Sequence, residues 1–581
     1  MMENIKMSDC AEQLFSRFVV ANAHRQSDYF SLIKTIIPCA KKHGNDCGSP
    51  LRAAYALLER EILENRHSPT KEISFGTSGW RGVLGKDINI YTVSCVTAAI
   101  VDMFQQIDVN RQLARLLLVD SFAEAQERGC VLGFDNRFGG EILARAVAGV
   151  LLAAGFRVHY AGESTTGVLS AAVLQLGASC SINLTPSHNP LEYGGYKFNG
   201  ADAGPAASGV TEYITKKSRL IVEDGRDVSL LTEETFLADD RVHLLDSLQL
   251  WKDLVSQNRD KHGLDLSEIS AKLLQRDDIS VAVDSVHGAS RLHIDALLGE
   301  EAGAKIKQLR NTADVTFGGV APEPSSANMQ GLVTYLQGIE TPLKLGAIID
   351  PDGDRIRFTD GDREISMNQF GAIAYHFLHE EKGVHGLLAK TVASSNLANR
   401  IAESFSEEIF EPRVGFKEFK PVVGRAVVCF EESDGISIIG HTPEKDAYIG
   451  LLLALDIVLT TGENLGTYLG KIEACYGSYY PEVGSVAVSM EGLALAEALE
   501  KLSSLLPGQT LEVAGEEREI SQVIDIDGRK IIFADASWLM IRPSGTEPKV
   551  RFYVESRTRS GASALIKTAR QLLIDIGLLS L

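Results

Sequence analysis

The chain has 581 residues, 23% of them charged, and a formal net charge of −20. That length exceeds what one hydrophobic core supports and implies about three to five domains. The acidic balance opposes binding to nucleic acid and to anionic membranes, so an anionic substrate must be met by local cations, backbone N–H groups or a metal.

Residues 1–70 read as helical, with Gly48-Ser49-Pro50 marking a break and helical periodicity resuming over 51–64. The start carries Glu3, Lys6 and Asp9 and lacks a continuous apolar run, which argues against a secretory signal. From about residue 72, short apolar runs alternate with amphipathic segments. Strands are expected over 131–134, 157–160, 179–184, 280–284, 345–350, 426–430, 538–542 and 550–555, with helices such as 141–154 and 563–576 between or after them. That alternation implies α/β layers. No run of about 20 apolar residues appears, so no membrane span is expected. Eight cysteines are scattered with no CxxC pair. They argue for a reducing cytoplasm, against a disulfide framework and against a structural zinc site.

Three times an apolar strand ends in a polar loop: after Leu184, after Ile349 and after Phe430. Ligands collect at the carboxyl ends of strands in α/β sheets, so three such units are expected to face one cleft. The first loop, Thr185-Pro186-Ser187-His188-Asn189-Pro190, holds a serine on a stretch stiffened by two prolines. The second, Asp350-Pro351-Asp352-Gly353-Asp354-Arg355, sets carboxylates at alternate positions. Like charges this close need a cation, and hard oxygen ligands suit Mg²⁺ or Ca²⁺. An EF-hand would need Gly where Arg355 stands and Glu where Gly361 stands. Mg²⁺ keeps coordination positions for a phosphate oxygen, and Arg355 is placed to hold the same phosphate. The last motif, Arg542-Pro543-Ser544-Gly545-Thr546, lies between two strands and has donors for an anion, with Arg551 just beyond. No Walker loop competes, because Gly470-Lys471 is followed by Ile472. The expected division is 1–70, 71–245, 246–365, 366–480 and 481–581.

With Glu431-Glu432-Ser433 as the third loop, these four motifs resemble, in order, the site loops of the α-D-phosphohexomutase superfamily. Phe75-Gly-Thr-Ser-Gly-Trp-Arg-Gly82 and Gly133-Phe-Asp-Asn-Arg137 resemble its first-domain signatures, and the likeness covers about 72–560. The resemblance implies a heart-shaped four-domain protein: three similar α/β domains and a C-terminal α+β domain, here behind a helical N-terminal extension read as a cap on the first domain. It implies transfer of a phosphoryl group between C1 and C6 of a hexose. Ser187 would be the phosphoserine, a hexose 1,6-bisphosphate the intermediate and activating primer, and Mg²⁺ the cofactor. Asp350, Asp352, Asp354 and the Ser187 phosphate would ligate the metal. Arg81, Lys197 and Arg355 would lie near the reacting phosphate, and His188 would shape the loop. Glu431 and Ser433 would contact sugar hydroxyls. Lys417, Arg542, Ser544, Gly545, Thr546 and Arg551 would hold the phosphate that is not reacting. Phe430 and Asp434 depart from the glycines that many members carry there. The segments 414–417 and 440–446 incline the substrate toward glucose phosphate. The alternatives are phosphomannomutase, phosphoglucosamine mutase or a non-catalytic phosphosugar-binding relative. A serine hydrolase would need a G-x-S-x-G elbow and would not explain the acidic loop. The expected partner is a phosphosugar in the cytoplasm, and the sequence specifies no oligomeric state.

Overall fold

The computed structural model describes residues 9–43, 48–76, 79–544 and 549–579. Four sheets follow one another along the chain. The first runs in space as Trp80–Val83, Tyr193–Gly200, Cys180–Leu184, Cys130–Phe134, Val158–Glu163 and Val242–Leu244, with the last four mutually parallel. The second runs Glu364–Ile365, Ile356–Thr359, Leu343–Ile349, Ile279–Asp284 and Ile306–Leu309, with the last three parallel. The third sets Ile409–Phe410, Leu388–Lys390 and Val428–Glu431 parallel and adds Gly435–Ile438 antiparallel. The fourth is antiparallel throughout, covered by helix Arg559–Asp575.

One device recurs in the first three sheets. A buried parallel strand turns straight back as an antiparallel neighbour: Cys180–Leu184 into Tyr193–Gly200, Leu343–Ile349 into Ile356–Thr359, and Val428–Glu431 into Gly435–Ile438. Strand-to-helix alternation alone does not anticipate these returning strands. Tyr193-Gly-Gly-Tyr-Lys reads as a loop because glycine and lysine are poor strand formers. The consequence is mechanical. Each site loop is pinned at both ends by ladder hydrogen bonds rather than at one.

The second and third sheets share one apolar core, built largely on helices Met367–Glu380 and Ala447–Thr461. Every residue of the latter from Ala447 to Leu459 is buried, so its lack of a polar face reflects burial inside protein. Among the described residues no single helix is long and apolar enough to cross a membrane. The fourth sheet keeps its own core and meets the third unit through Trp538, Met540 and Tyr553 against Val392 and Ala393.

The N-terminal segment forms helices Asp9–Phe18, Tyr29–His43 and Gly48–Glu64. Gly48-Ser49-Pro50 is the first turn of the third helix rather than a break before it, and a first turn tolerates proline because its N–H groups have no helical partner. Leu32, Ile33, Leu58 and Ile62 join Leu84 and Ile88 in the core of the first unit. The turn at Gly85-Lys86 is clasped from this side. Lys86 Nζ donates to the Ser27 carbonyl at 2.8 Å and Asn65 Nδ2 to the Gly85 carbonyl at 2.8 Å.

Glu61 lies under this clasp, 1% exposed and 3.8 Å from Lys86 Nζ. Burial pushes its carboxyl up to about 7, against the pull of Lys86. Between the ordinary carboxylate value and about 7 the unfolded chain has released a proton that the folded chain keeps. Stability therefore falls as pH rises through that window, by on the order of 3 kcal/mol at most. Glu61→Gln removes the titration. In thermal unfolding its Tm advantage over wild type is expected to grow by a few degrees from about pH 5 to about pH 8. An equal difference at both would contradict the assignment.

Candidate active site

The first two hairpin loops meet at Ser187, which is 1% exposed and has φ of 60°. That left-handed backbone is unusual for serine and is held from several sides. Thr185 Oγ1 accepts from the Ser187 N–H at 2.8 Å and donates to Asp135 Oδ2 at 2.7 Å. Arg137 donates to the carbonyls of Ser187 and Pro190, each at 2.7 Å, and to that of Asn189. Its guanidinium also pairs with Asp135 at 3.3 Å and lies over the Phe317 ring. The fork geometry of arginine suits one side chain to gathering several carbonyls. Motif 133–137 is therefore the mooring of the serine loop.

Ser187 Oγ donates to Asp350 Oδ2 at 2.7 Å and lies 3.5 Å from Asp354 Oδ1. The acidic loop curls because Asp350 Oδ1 accepts from the N–H groups of Asp354 and Arg355, both at 3.0 Å. Gly353 at its tip has φ of 64°, and a Cβ there would lie 2.6 Å from Thr165. Asp350, Asp352 and Asp354 are buried and offer oxygens within 4.8 Å of one another. Asp352 Oδ1 is buried without a hydrogen-bond partner. Burial, reinforced by Asp352 and Asp354, holds the Asp350 carboxyl well above its usual value. Burial pushes Asp354 up as well, but Lys197, Lys445 and Arg355 together hold it well below the carboxylate range. Three convergent hard oxygens, one with no partner, fit a divalent cation such as Mg²⁺.

Cations surround the cluster. Lys197 Nζ donates to Asp352 Oδ2 at 2.5 Å and Asp354 Oδ2 at 2.6 Å. Burial lowers its pKa, but Asp352, Asp354 and Glu444 raise it further and keep it protonated. Arg81 donates to Asn189 Oδ1 at 2.9 Å on the serine loop. Arg355 Nε is 3.7 Å from Asp354 Oδ1 and makes no hydrogen bond. His188 Nδ1 is 3.4 Å from Ser187 Oγ; burial, then Arg355 and Arg81, push the imidazole well below its usual value.

The third loop closes the site. Glu431 Oε1 accepts from Lys445 Nζ at 2.8 Å, and Lys445 also lies 3.8 Å from Asp354. Ser433 hydrogen-bonds to Glu431, and Glu432 accepts from Thr391 at 2.7 Å. Asp434, at φ of 70°, receives both prongs of Arg357, at 3.1 and 2.7 Å, and its carbonyl accepts from Ile356 at 2.9 Å. The carboxylate at this position thus ties the third loop to the returning strand of the second.

The remaining described candidates lie on the third and fourth units. Lys417 Nζ donates to Ser208 Oγ of the first unit at 3.2 Å. Arg542 pairs with Asp527 at 3.1 Å, and Asp527 also accepts from the Val414 N–H at 3.0 Å, which links the fourth unit to segment 414–417. Arg551 stands opposite Arg542 in the sheet, and the Ser544 N–H donates to the Lys549 carbonyl at 2.8 Å. Gly545 and Thr546 lie outside the described residues. Sequence reasoning passed over Lys445, Arg137, Arg357 and Thr166, whose Oγ1 donates to Asp352 at 2.8 Å. For Lys445 a signal exists: a lysine between two acids, immediately before the largely apolar helix that opens at Ala447.

Residues 72–222, 262–363 and 366–476 match the phosphoglucomutase/phosphomannomutase alpha/beta/alpha domains I, II and III, and 488–571 match the C-terminal domain of the same family. A phosphoglucosamine/phosphogalactosamine mutase of Sulfurisphaera tokodaii is 22% identical over 86% of this chain and 98% of its own. A phosphoglucomutase of Rhizobium radiobacter is 27% identical over 78% of this chain and 87% of its own. The crystal structure of a putative phosphomannomutase from Thermus thermophilus superposes with a TM-score of 0.68 at 25% identity, covering 87% of this chain and 99% of that one.

Replacing a ligand of the acidic loop should cost divalent-cation affinity. Asp352→Asn is expected to weaken Mn²⁺ binding, followed by calorimetry, by at least the roughly 10–100-fold that losing even an outer-shell partner costs. Unchanged affinity would remove Asp352 from the metal site.

Proposed function

This chain belongs to the phosphoglucomutase/phosphomannomutase family, and from that membership we propose that it interconverts glucose 1-phosphate and glucose 6-phosphate through phospho-Ser187 and glucose 1,6-bisphosphate. The observation that carries the reading is the contact of Ser187 Oγ with Asp350 Oδ2 at 2.7 Å, on separate loops and amid buried cations. A hydroxyl displayed for hydrolysis has no use for three carboxylates. A hydroxyl that carries a phosphate does, once a cation lies between them.

In the first half-reaction the P–Oγ bond of phospho-Ser187 breaks as a P–O bond forms to the free sugar hydroxyl, whose proton ends on the released Ser187 Oγ. The bisphosphate then turns within the cleft. In the second half-reaction the opposite phosphate returns to Ser187, so the serine ends as it began. Bound Mg²⁺, held by Asp350, Asp352 and Asp354, would neutralise charge on the transferring phosphoryl oxygens. Lys197 stays protonated between Asp352 and Asp354 and acts as a counter-ion rather than a base. Arg81 and Arg355 flank the serine loop and bind phosphoryl oxygens. Positioning and charge neutralisation then carry most of the rate.

The glucose assignment draws on segments 414–417 and 440–446 and on Glu431 and Ser433 as partners for sugar hydroxyls. Lys417, Arg542, Ser544, Gly545, Thr546 and Arg551 are read as holding the distal phosphate. Placing them on another unit gives the turning intermediate a fixed far end. We read the setting as cytoplasmic, in keeping with the unpaired buried thiols of Cys95, Cys130, Cys180 and Cys429.

The test offers Mg²⁺, the matching hexose 1,6-bisphosphate and, in turn, the 1-phosphates of glucose, mannose and glucosamine. The glucose ester is expected to be isomerised fastest. A faster mannose or glucosamine ester would replace the substrate, and no turnover of any would overturn the mutase reading. Ser187→Ala is expected to reduce activity to background. Intact mass should then show one phosphoryl group on wild type and none on the variant.

A further inference from the structure

The third unit carries another group of ligating side chains. His379 lies in the last turn of helix Met367–Glu380, His385 in the loop before strand Leu388–Lys390, and Glu407 just before strand Ile409–Phe410. Each offers one ligand atom, and the three atoms lie within 4.8 Å of one another. His385 is exposed, while His379 and Glu407 are half-buried. These strands are parallel to Val428–Glu431, whose carboxyl end bears the third site loop. The group therefore sits at the amino ends of the strands, on the edge of the sheet facing away from the cleft.

Its members are oriented as ligands are. His379 Nδ1 faces Glu380 Oε1 at 3.0 Å, and the ring stacks on Phe405 with centroids 3.6 Å apart and planes 3° from parallel. A carboxylate at Nδ1 keeps the proton there and leaves a lone pair on Nε2, the arrangement that orients metal-binding imidazoles. That Nε2 is 2.9 Å from His385 Nδ1, six residues on. Glu407 Oε1 accepts from the Gly386 N–H at 3.1 Å, which fixes the carboxylate against the loop carrying His385. Two imidazole nitrogens on a tetrahedral Zn²⁺ stand about 3.3 Å apart, given Zn–N of about 2.0–2.1 Å. The observed pair is a few tenths of an ångström from that spacing.

We infer that His379 Nε2, His385 Nδ1 and a Glu407 carboxylate oxygen form a second metal site, selective for a first-row transition ion of the Zn²⁺ type. Two imidazoles and one carboxylate suit Zn²⁺, whereas Mg²⁺ prefers all-oxygen shells such as the acidic loop. On binding, the proton between the two nitrogens moves to His385 Nε2 and the cation takes its place, with a fourth position left for water. The ion would join the end of one helix to the lead-in segments of two strands, a clasp on the third unit rather than a part of phosphoryl transfer. The scattered cysteines give no hint of it, because the site uses none.

The experiment is calorimetric titration of chelator-stripped full-length protein with Zn²⁺ in excess Mg²⁺, on wild type, Asp352→Asn, His385→Ala and Glu407→Gln. One Zn²⁺ per chain is expected on wild type and on Asp352→Asn, weakened at least about 10–100-fold in His385→Ala. His385 is exposed, so its replacement leaves packing intact, and Glu407→Gln provides an independent variant with the same expected direction. Zn²⁺ should raise the Tm of wild type and not that of His385→Ala. Zn²⁺ binding that vanishes with Asp352→Asn, or that ignores both His385→Ala and Glu407→Gln, would overturn the site.

Discussion

A phosphate carried on Ser187 would stand against three buried carboxylates, and the architecture is organised around that conflict. Two unit charges 4 Å apart repel by about 4 kcal/mol at the effective dielectric of a protein surface. Ser187 Oγ is 2.7 Å from one carboxylate oxygen and 3.5 Å from another. Lys197, Lys445, Arg355 and Arg81 supply part of the compensation, and Lys197 is fully engaged by Asp352 and Asp354. The unpartnered Asp352 Oδ1 marks where the protein's own cations stop and where a divalent cation would fit. In a chain of net charge −20 these clustered cations are the positive charge an anionic ligand meets there.

Holding such a cluster demands rigidity, and the packing provides it. Asp446 caps the buried helix Ala447–Thr461, receives the indole N–H of Trp251 at 2.5 Å and faces His441 Nε2 at 2.8 Å. The N–H of Ala447 reaches the Gly353 carbonyl at 2.9 Å, so the metal loop is fastened to the start of that helix. Arg357 and Asp434 make the parallel connection one strand away. The second and third units thus share one core and are fastened to each other at the acidic loop. The fourth unit has a separate core and meets the third through an apolar patch, the Lys530 Nζ bond to the Val392 carbonyl at 2.7 Å, and the Val414 and Asn396 N–H groups, which donate to Asp527 and Glu555, each at 3.0 Å.

The chemistry was legible in the sequence where polar loops interrupt apolar strands. The hydroxyl and the three carboxylates, which the fold brings together, stand out because nothing in a buried strand's surroundings explains them. The rest depends on contacts between distant residues. Arg137 stands out only as part of a first-domain motif, and its task emerges when the chain folds back 50 residues on and brings the Ser187 carbonyl to it. Asp434 reads as an intrusive charge until Arg357, 77 residues earlier, is seen to neutralise it. The returning strand Tyr193–Gly200 carries Lys197, which reaches Asp352 and Asp354, and Gly195, where a Cβ would lie 2.3 Å from the Thr185 carbonyl; both hide its extended conformation from propensity. Proline at Pro50 reads as a breaker, although position within a helix decides what proline does.

The central claim is that phospho-Ser187 and the acidic loop share one metal ion. The ³¹P resonance of the phosphorylated protein, recorded as Mn²⁺ is added to one equivalent, tests it directly, because paramagnetic broadening requires the metal to lie close to phosphorus. The account predicts a phosphoserine line broadened beyond detection in wild type and sharp in Asp352→Asn. A line that stays sharp in wild type while Mn²⁺ is demonstrably bound at the acidic loop would contradict it.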